Sequence, residues 1–531
     1  MTRRSRRTHA TGAIAALAVL SLALAGCSDD SPQDPGSAAP DQAAPTTATP
    51  SPTRSYPLSE PPATVPAVSE HEAARGPGWR PGADGAVVVA KGSEELADEG
   101  RLIAQELELD YRGTNTARSG DVALSLSASG GAPESYTVTV RDSIVRIAGP
   151  DEAGVFYGTR TLKQSVNASG AMPEGVVRDR PARPQRGFNL DIARKHFTAE
   201  WIEARMREMA DLKLNQLGLH FSDDQAWRIE STSHPEIVTD PHLTTAQIKR
   251  IIALGQRLHI DVFGEIDSPG HLGAVLRAHP QLQLRNAQGV PRQGAIDISK
   301  PESAELIDDL LREYTGLFGG RWFHIGADEY QALTVSDPAA SYPQLASAAT
   351  EKYGPGAGVQ DLTEGWMNDR AAVVRAAKQT PKAWNDGFFT GGSVTASKDI
   401  EVEYWTGKEI GARPPTEYLA EGRKVVNLND EYLYYVLGEP NDFTYPTGRR
   451  IYEEWTPLVL RGTTPVAAKY SDQILGGRFA VWCDLANSQT QAQVADGIRR
   501  PLQAVSQKLW DAERPALSWA QFQAVADRAT S

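Results

Sequence analysis

The apolar and polar positions divide the chain into stretches of different character. Between residues 85 and 180, short apolar runs at 86–90, 122–126, 135–140 and 144–147 have strand length and composition. Two segments among them, 94–109 and 151–166, carry apolar residues at helical spacing. This mixture predicts a small α+β domain. After Arg180-Pro181-Ala182-Arg183-Pro184 the pattern changes to strands alternating with amphipathic helices. Strands are predicted at 188–192, 216–221, 261–266, 322–325, 382–384, 400–405, 424–427 and 478–482. Helices are predicted at 200–213, 245–258, 303–318 and 491–509. Eight strands with helical connections are the order of a (β/α)8 TIM barrel. The fold class is therefore α/β, with a barrel over 184–531 and the small domain, an accessory one, over 70–183.

Two segments at the start belong to neither domain. Residues 1–26 begin with Arg3, Arg4, Arg6 and Arg7 and continue into an apolar run at 13–25. The run is too short to span a bilayer and has the length of a signal-peptide core. It ends Leu24-Ala25-Gly26-Cys27, which resembles a bacterial lipoprotein lipobox. The resemblance implies cleavage before Cys27, a diacylglyceryl thioether on its sulfur, and export to the outer face of the cell membrane. An ordinary secretory signal is the alternative, and the arginine pairs leave twin-arginine export open. Residues 28–69 are rich in Pro, Ala, Ser, Thr and Asp, so a flexible tether without a core is predicted.

Composition narrows the classes of partner. Hydrophobic residues at 40% and charged residues at 23% describe a globular chain. The formal net charge is -13, and the first 26 residues hold four arginines and no acid, so the remainder stands at -17. That charge disfavours nucleic acid and anionic lipid, and leaves membrane contact to the lipid anchor alone. Beyond Cys27 the one cysteine is Cys483, set in an apolar run. No intramolecular disulfide is expected, and Cys483 reads as a small buried hydrophobe.

Candidate chemistry centres on Trp322-Phe323-His324-Ile325-Gly326-Ala327-Asp328-Glu329-Tyr330. An apolar strand stops at two small residues, and two acids follow. Alternation along a strand would turn Asp328 and Glu329 to opposite faces, so they would reach different atoms of one ligand rather than share a proton. Alone, the pair also reads as a solvated acidic turn. The other strand ends change the balance, because barrel active sites form there. Asp191 and Arg194 follow the first strand, His220, Asp223 and Asp224 the second, and Glu265, Asp267 and His271 the third. Trp384, Trp405 and Trp482 close the fifth, sixth and eighth, Tyr432 follows the seventh, and Asp484 stands two residues past Trp482. Singly these are core tryptophans, a surface ion pair and a helix cap. Together they suit a sugar, with indole faces against pyranose rings and charged groups on hydroxyls.

At this point a family resemblance is plain. His324-Ile325-Gly326-Ala327-Asp328-Glu329 is similar to the His-x-Gly-Gly-Asp-Glu signature of glycoside hydrolase family 20, the β-N-acetylhexosaminidases. Residues 186–194, 219–228 and 265–271 resemble the family's first three barrel strands, and residues 85–180 its accessory domain. The resemblance implies that Glu329 is the general acid and base, with a raised pKa, and that Asp328 holds the substrate's acetamido N–H. The acetamido oxygen then attacks the anomeric carbon to give an oxazolinium, one of the exceptions to the two-carboxylate scheme. It further implies that Asp223 and His271 tune the proton, that Tyr432 bonds the acetamido oxygen, and that Trp384, Trp405 and Trp482 wall the pocket. Arg194 would hold ring hydroxyls, with Asp484 near the far side of the sugar. No cofactor and no metal are implied. Three departures stand out: Ala327 for the second Gly, Tyr434 for an Asp, and Asp484 for a Glu. The last two put single-residue release in doubt and point to the family's lacto-N-biosidases, which release Gal-β1,3-GlcNAc.

Two rivals remain open from sequence. A metal-dependent barrel hydrolase could use His220, Asp223, Asp267 and His271, although the first strand lacks the usual His-x-His pair. A sugar-binding lipoprotein would share the signal, tether and tryptophans but has no need of Asp328 beside Glu329.

Overall fold

The computed structural model describes residues 55–127, 130–408, 413–511 and 516–530. The expected signal segment with Cys27, and most of the expected tether, lie outside these residues. The rest of that tether is not one. Val65 is fully buried; its N–H donates to Gln164 Oε1 at 2.6 Å and its carbonyl accepts from Gln164 Nε2 at 2.8 Å. Farther on, Ala67 N–H donates to Gln507 Oε1, and Ser69 bonds Asp179. Buried chain therefore begins by residue 62, not 70. Side-chain amides from distant helices satisfy this backbone, a partnership that composition does not display.

The accessory domain is a seven-stranded mixed sheet in the order Glu70–Ala73, Gly175–Asp179, Tyr136–Arg141, Ile144–Gly149, Val122–Leu126, Ala86–Val89, Asp110–Thr114. The helices Ala97–Glu106 and Glu152–Ser169 lie where spacing placed them. Asp151 starts the second by accepting from Gly154 N–H, and Gly170 ends it in the left-handed conformation. That helix packs both on the sheet and on barrel helices Ala199–Asp211 and Trp519–Ala529. Its Arg160 is buried between Glu106 of the accessory domain and Asp211 of the barrel.

The barrel strands are Gln185–Asp191, Gln216–His220, Asp261–Ser268, Trp322–Gly326, Thr380–Trp384, Glu401–Tyr404, Val425–Asn427 and Ile474–Trp482. All neighbours are parallel, and the seventh pairs with the eighth to close the ring. Helices Thr245–Arg257 and Gln491–Trp510 begin with capping boxes, Thr244 with Gln247 and Thr490 with Gln493. Two departures from regular alternation bear on the site. The fifth and sixth strands are joined by a loop holding only a 3-10 turn, Asn385–Gly387. A short extra strand, Tyr434–Val436, pairs with the last three residues of the eighth and heightens the mouth on that side. Among the described residues no helix is long and apolar enough to cross a membrane.

Candidate active site

At the carboxyl ends of the strands lies a cavity of about 420 Å³, large enough for more than a single pyranose ring. The first strand ends in Asp191, which is fully buried. One of its oxygens accepts from Arg194 N–H, and the other accepts from Arg194 Nη1 at 3.0 Å and Cys483 N–H at 2.9 Å. Asp191 thus fixes Arg194 and fastens the first strand to the eighth. Arg194 also reaches Asp223 at 2.7 Å and lies over Trp482.

The second and third strands supply a chain of charge. Glu265 sits at its base, accepting from Trp384 Nε1 at 2.6 Å and lying 3.1 Å from His220 Nδ1. His220 Nε2 donates to Asp223 at 2.8 Å, and Asp223 faces His271 Nδ1 at 3.5 Å. His271 Nε2 then meets Glu329 at 3.2 Å and Asp328 at 3.6 Å. Each imidazole has carboxylates on both nitrogens, and these hold both rings well above the usual histidine range despite burial, which alone would lower them. Asp223, between His271, Arg194 and His220, is held well below the usual carboxylate range although burial opposes that.

The fourth strand stops at Gly326, and a turn replaces the expected alternation. Gly326, Ala327 and Glu329 all have positive φ, at 71°, 87° and 46°. A Cβ at Gly326 would come within 1.8 Å of Asp267 Oδ1, so this position requires glycine. Ala327 carries the strain of the left-handed region, and its methyl fits because Gly387 opposite has none. Through this turn both acids face one cavity and one imidazole. Glu329 N–H donates to Asp386 at 3.0 Å, and the other oxygen of Asp386 accepts from Trp405 Nε1 at 3.0 Å.

Ionisation departs from expectation. Glu329 was to be raised; the hydrogen bond from His271 lowers it instead, with burial opposing, and its side chain is 41% exposed at the mouth. Burial pushes Asp328 up to about 6, helped by the neighbouring Glu329 charge and opposed by His271. These shifts place the working proton of the free site on His271, whose Nε2 lies 3.2 Å from Glu329.

The walls are aromatic. Trp405 and Tyr434 are nearly parallel, with centroids 5.8 Å apart at 4°, and Trp482 meets Tyr434 at 5.7 Å and Trp384 at 5.8 Å. Phe443 continues the wall beyond Tyr434, and Asp484 lies near Arg194 at the rim. Of the residues expected here, Arg194, His271, Asp328, Glu329, Trp384, Trp405, Trp482 and Asp484 line the cavity, with Asp223 directly behind His271. Tyr432 does not. It lies in a helical turn, Asp430–Leu433; its hydroxyl donates to Glu454 at 3.2 Å and Arg450 covers its ring. The chain becomes extended only at Tyr434, and that side chain enters the cavity. Sequence reasoning also missed Asp386 and Phe443. A strand end followed by Asn385-Asp386-Gly387 was a usable signal for the first; nothing local marked the second.

Comparison with known proteins agrees with this architecture. Residues 184–513 match the model of the glycosyl hydrolase family 20 catalytic domain, and residues 61–180 match that family's domain 2. A lacto-N-biosidase of Bifidobacterium bifidum is 29% identical over 481 residues, covering 88% of this chain and 41% of its own. A beta-hexosaminidase of Vibrio furnissii is 25% identical over 395 residues, covering 67% of this chain and 62% of its own. The chain thus spans less than two thirds of the length of these relatives. Among solved structures, an exo beta-N-acetylglucosaminidase of Vibrio harveyi superposes with a TM-score of 0.71 at 21% identity, covering 91% of this chain and 79% of its own. A beta-hexosaminidase of Streptomyces plicatus gives 0.69 at 21% identity, covering 90% and 97%. These likenesses establish the fold, and the matched models extend over both domains: the chain belongs to glycosyl hydrolase family 20.

Proposed function

We propose that this chain removes terminal β-linked N-acetylhexosamine, GlcNAc or GalNAc, from glycans, with retention and through an oxazolinium intermediate. The observation that carries the reading is the placement of Asp328 and Glu329 on one turn, facing one aromatic cavity, with His271 bridging both. Asp328, as carboxylate, accepts the acetamido N–H and turns the amide oxygen toward the anomeric carbon. That oxygen forms the new C–O bond as the glycosidic bond breaks. Glu329, ionised in the free site, receives the proton of His271 3.2 Å away and passes it to the departing oxygen. Water then adds to the anomeric carbon as that carbon's bond to the acetamido oxygen breaks, restoring the acetamide, and the water's proton passes to Glu329. Tyr434 takes the part first given to Tyr432, with its hydroxyl toward the acetamido oxygen, and the indoles hold the methyl and the ring. A sugar-binding protein has no use for this proton chain. Glu329→Gln should therefore cut hydrolysis of an aryl β-GlcNAc by roughly 10²–10⁴-fold; a variant as fast as the parent refutes the assignment.

A second reading, lacto-N-biosidase action, is favoured by one feature. Tyr434 stands where the family often has an acid against a ring hydroxyl, and Phe443 stacks on it at 6.3 Å, extending the aromatic wall. The Bifidobacterium relative bears that name. Chitobiose and lacto-N-tetraose, digested side by side, separate the readings: GlcNAc from the first supports the hexosaminidase, a disaccharide from the second the biosidase.

Export as a lipoprotein on the outer face of the cell membrane is part of the proposal and rests on the sequence around Cys27. Mass spectrometry of the mature N-terminus should find Cys27 first and lipidated; an unmodified terminus elsewhere contradicts it.

A further inference from the structure

Away from the cavity, three side chains that the mechanism does not use converge at the barrel's edge. His234 precedes a 3-10 turn, Pro235–Ile237, in the connection after the second strand, and His279 ends the helix Gly273–Ala278 after the third. Glu236 Oε1 lies 3.0 Å from His234 Nδ1 and 2.9 Å from His279 Nε2. One ligand atom from each of the three falls within 4.8 Å of the others. The two rings meet edge to face with centroids 6.0 Å apart. His234 Nε2 is buried without a hydrogen bond, and Asp309 stands 3.9 Å from it. A cavity of about 520 Å³ beside them is lined also by Glu302, Glu305 and Asp309.

We infer that His234, Glu236 and His279 form a site for a divalent transition-metal ion, zinc by its ligand chemistry, that joins the connections after the second and third barrel strands. Two imidazoles and one carboxylate are a set that zinc accepts, with a fourth position for water. Calcium and magnesium prefer oxygen alone, which the imidazoles do not offer. Two ring nitrogens aimed at one carboxylate oxygen leave protons where a cation would sit. Zinc–nitrogen bonds of about 2.0–2.1 Å place tetrahedral ligand atoms about 3.4 Å apart, so the present contacts need open by only a few tenths of an ångström. Pro235 and Pro280 stiffen the backbone beside both histidines. The joined connections are those that carry Asp223 and His271, so the ion would hold together the segments that position the proton chain.

Calorimetric titration of the tag-free, EDTA-treated protein with zinc chloride tests this. The expected result is one equivalent bound at micromolar or tighter affinity, and at least tenfold weaker binding in His234→Ala/His279→Ala. A rise in Tm of roughly 1–3 °C with excess zinc should accompany binding in the parent and vanish in the variant. Hydrolysis by His279→Ala, assayed without zinc, should stay within twofold of the EDTA-treated parent. Glu236→Gln, which preserves shape, must also weaken zinc binding, and so serves if the double variant fails to fold. Absence of binding by the parent, or undiminished binding by these variants, overturns the site; the latter would move the ion to the carboxylates around His271.

Discussion

At the scale of single residues, the cavity is governed by where one proton rests. His271 is charged because Asp223, Asp267 and Asp328 surround it, and it in turn keeps Glu329 ionised until a leaving oxygen claims the proton. Asp328 has the opposite bias, since burial lifts it to about 6. Its role needs the carboxylate, because a protonated acid accepts an amide N–H poorly. The rate constant kcat/KM should therefore fall as pH drops through about 6, and the limb should disappear in Asp328→Asn along with roughly 10²–10³-fold of activity. A pH–rate profile of both proteins checks this, and an unchanged limb in the variant assigns it to another group. The two tyrosines offer a sharper contrast. Tyr434→Phe should lower kcat by roughly tenfold or more, whereas Tyr432→Phe, which loses one bond to Glu454, should stay near the parent. Equal losses would restore Tyr432 to the site.

At the scale of elements, the turn Gly326–Glu329 decides the geometry. A strand continuing through Asp328 would have parted the two acids; departures into positive φ at Gly326, Ala327 and Glu329 reunite them. Ala327 pays for this in backbone strain, so Ala327→Gly should raise stability by about 0.5–1 kcal/mol in a denaturant titration. A loss of stability would mean that packing of the methyl near Gly387 outweighs the strain. The same turn shows why local pattern gave the members of the site better than its geometry. Apolar runs announced all eight barrel strands, and the residues after them named most of the cavity. Alternation could not foresee a turn, nor that four residues of helix, Asp430–Leu433, would carry Tyr432 away and leave Tyr434 in its place. In the accessory sheet, Glu70–Ala73 and Asp110–Thr114 went unread as polar edge strands, and the interior Gly175–Asp179 went unread because its apolar run is only Val176-Val177. Helix Val359–Ala376 was legible in principle, with Val359, Trp366, Met367 and Val374 on one buried face.

At the scale of the whole molecule, the accessory domain is a fixture of the barrel. Helix Glu152–Ser169 is buried along most of its length, and Gln164 joins the incoming segment at Val65 to the barrel at Asp211. A chain beginning at Ser55 should match the full chain in thermal stability. One beginning at Glu70 removes Val65 and strands Gln164, and should lose roughly 2–4 kcal/mol. Equal stability of the two would mean that residues 55–69 contribute no net packing. The proposed mechanism asks the strand ends to present a substrate's own amide as the nucleophile. The most direct test varies that amide: kcat/KM for aryl β-glucosaminides bearing acetyl, fluoroacetyl, difluoroacetyl and trifluoroacetyl groups on nitrogen. Each fluorine weakens the attacking oxygen, so the rate should fall steeply across the series, by orders of magnitude in all. A flat series would mean that a group of the protein attacks instead, and that Asp328 does not aim the substrate's amide.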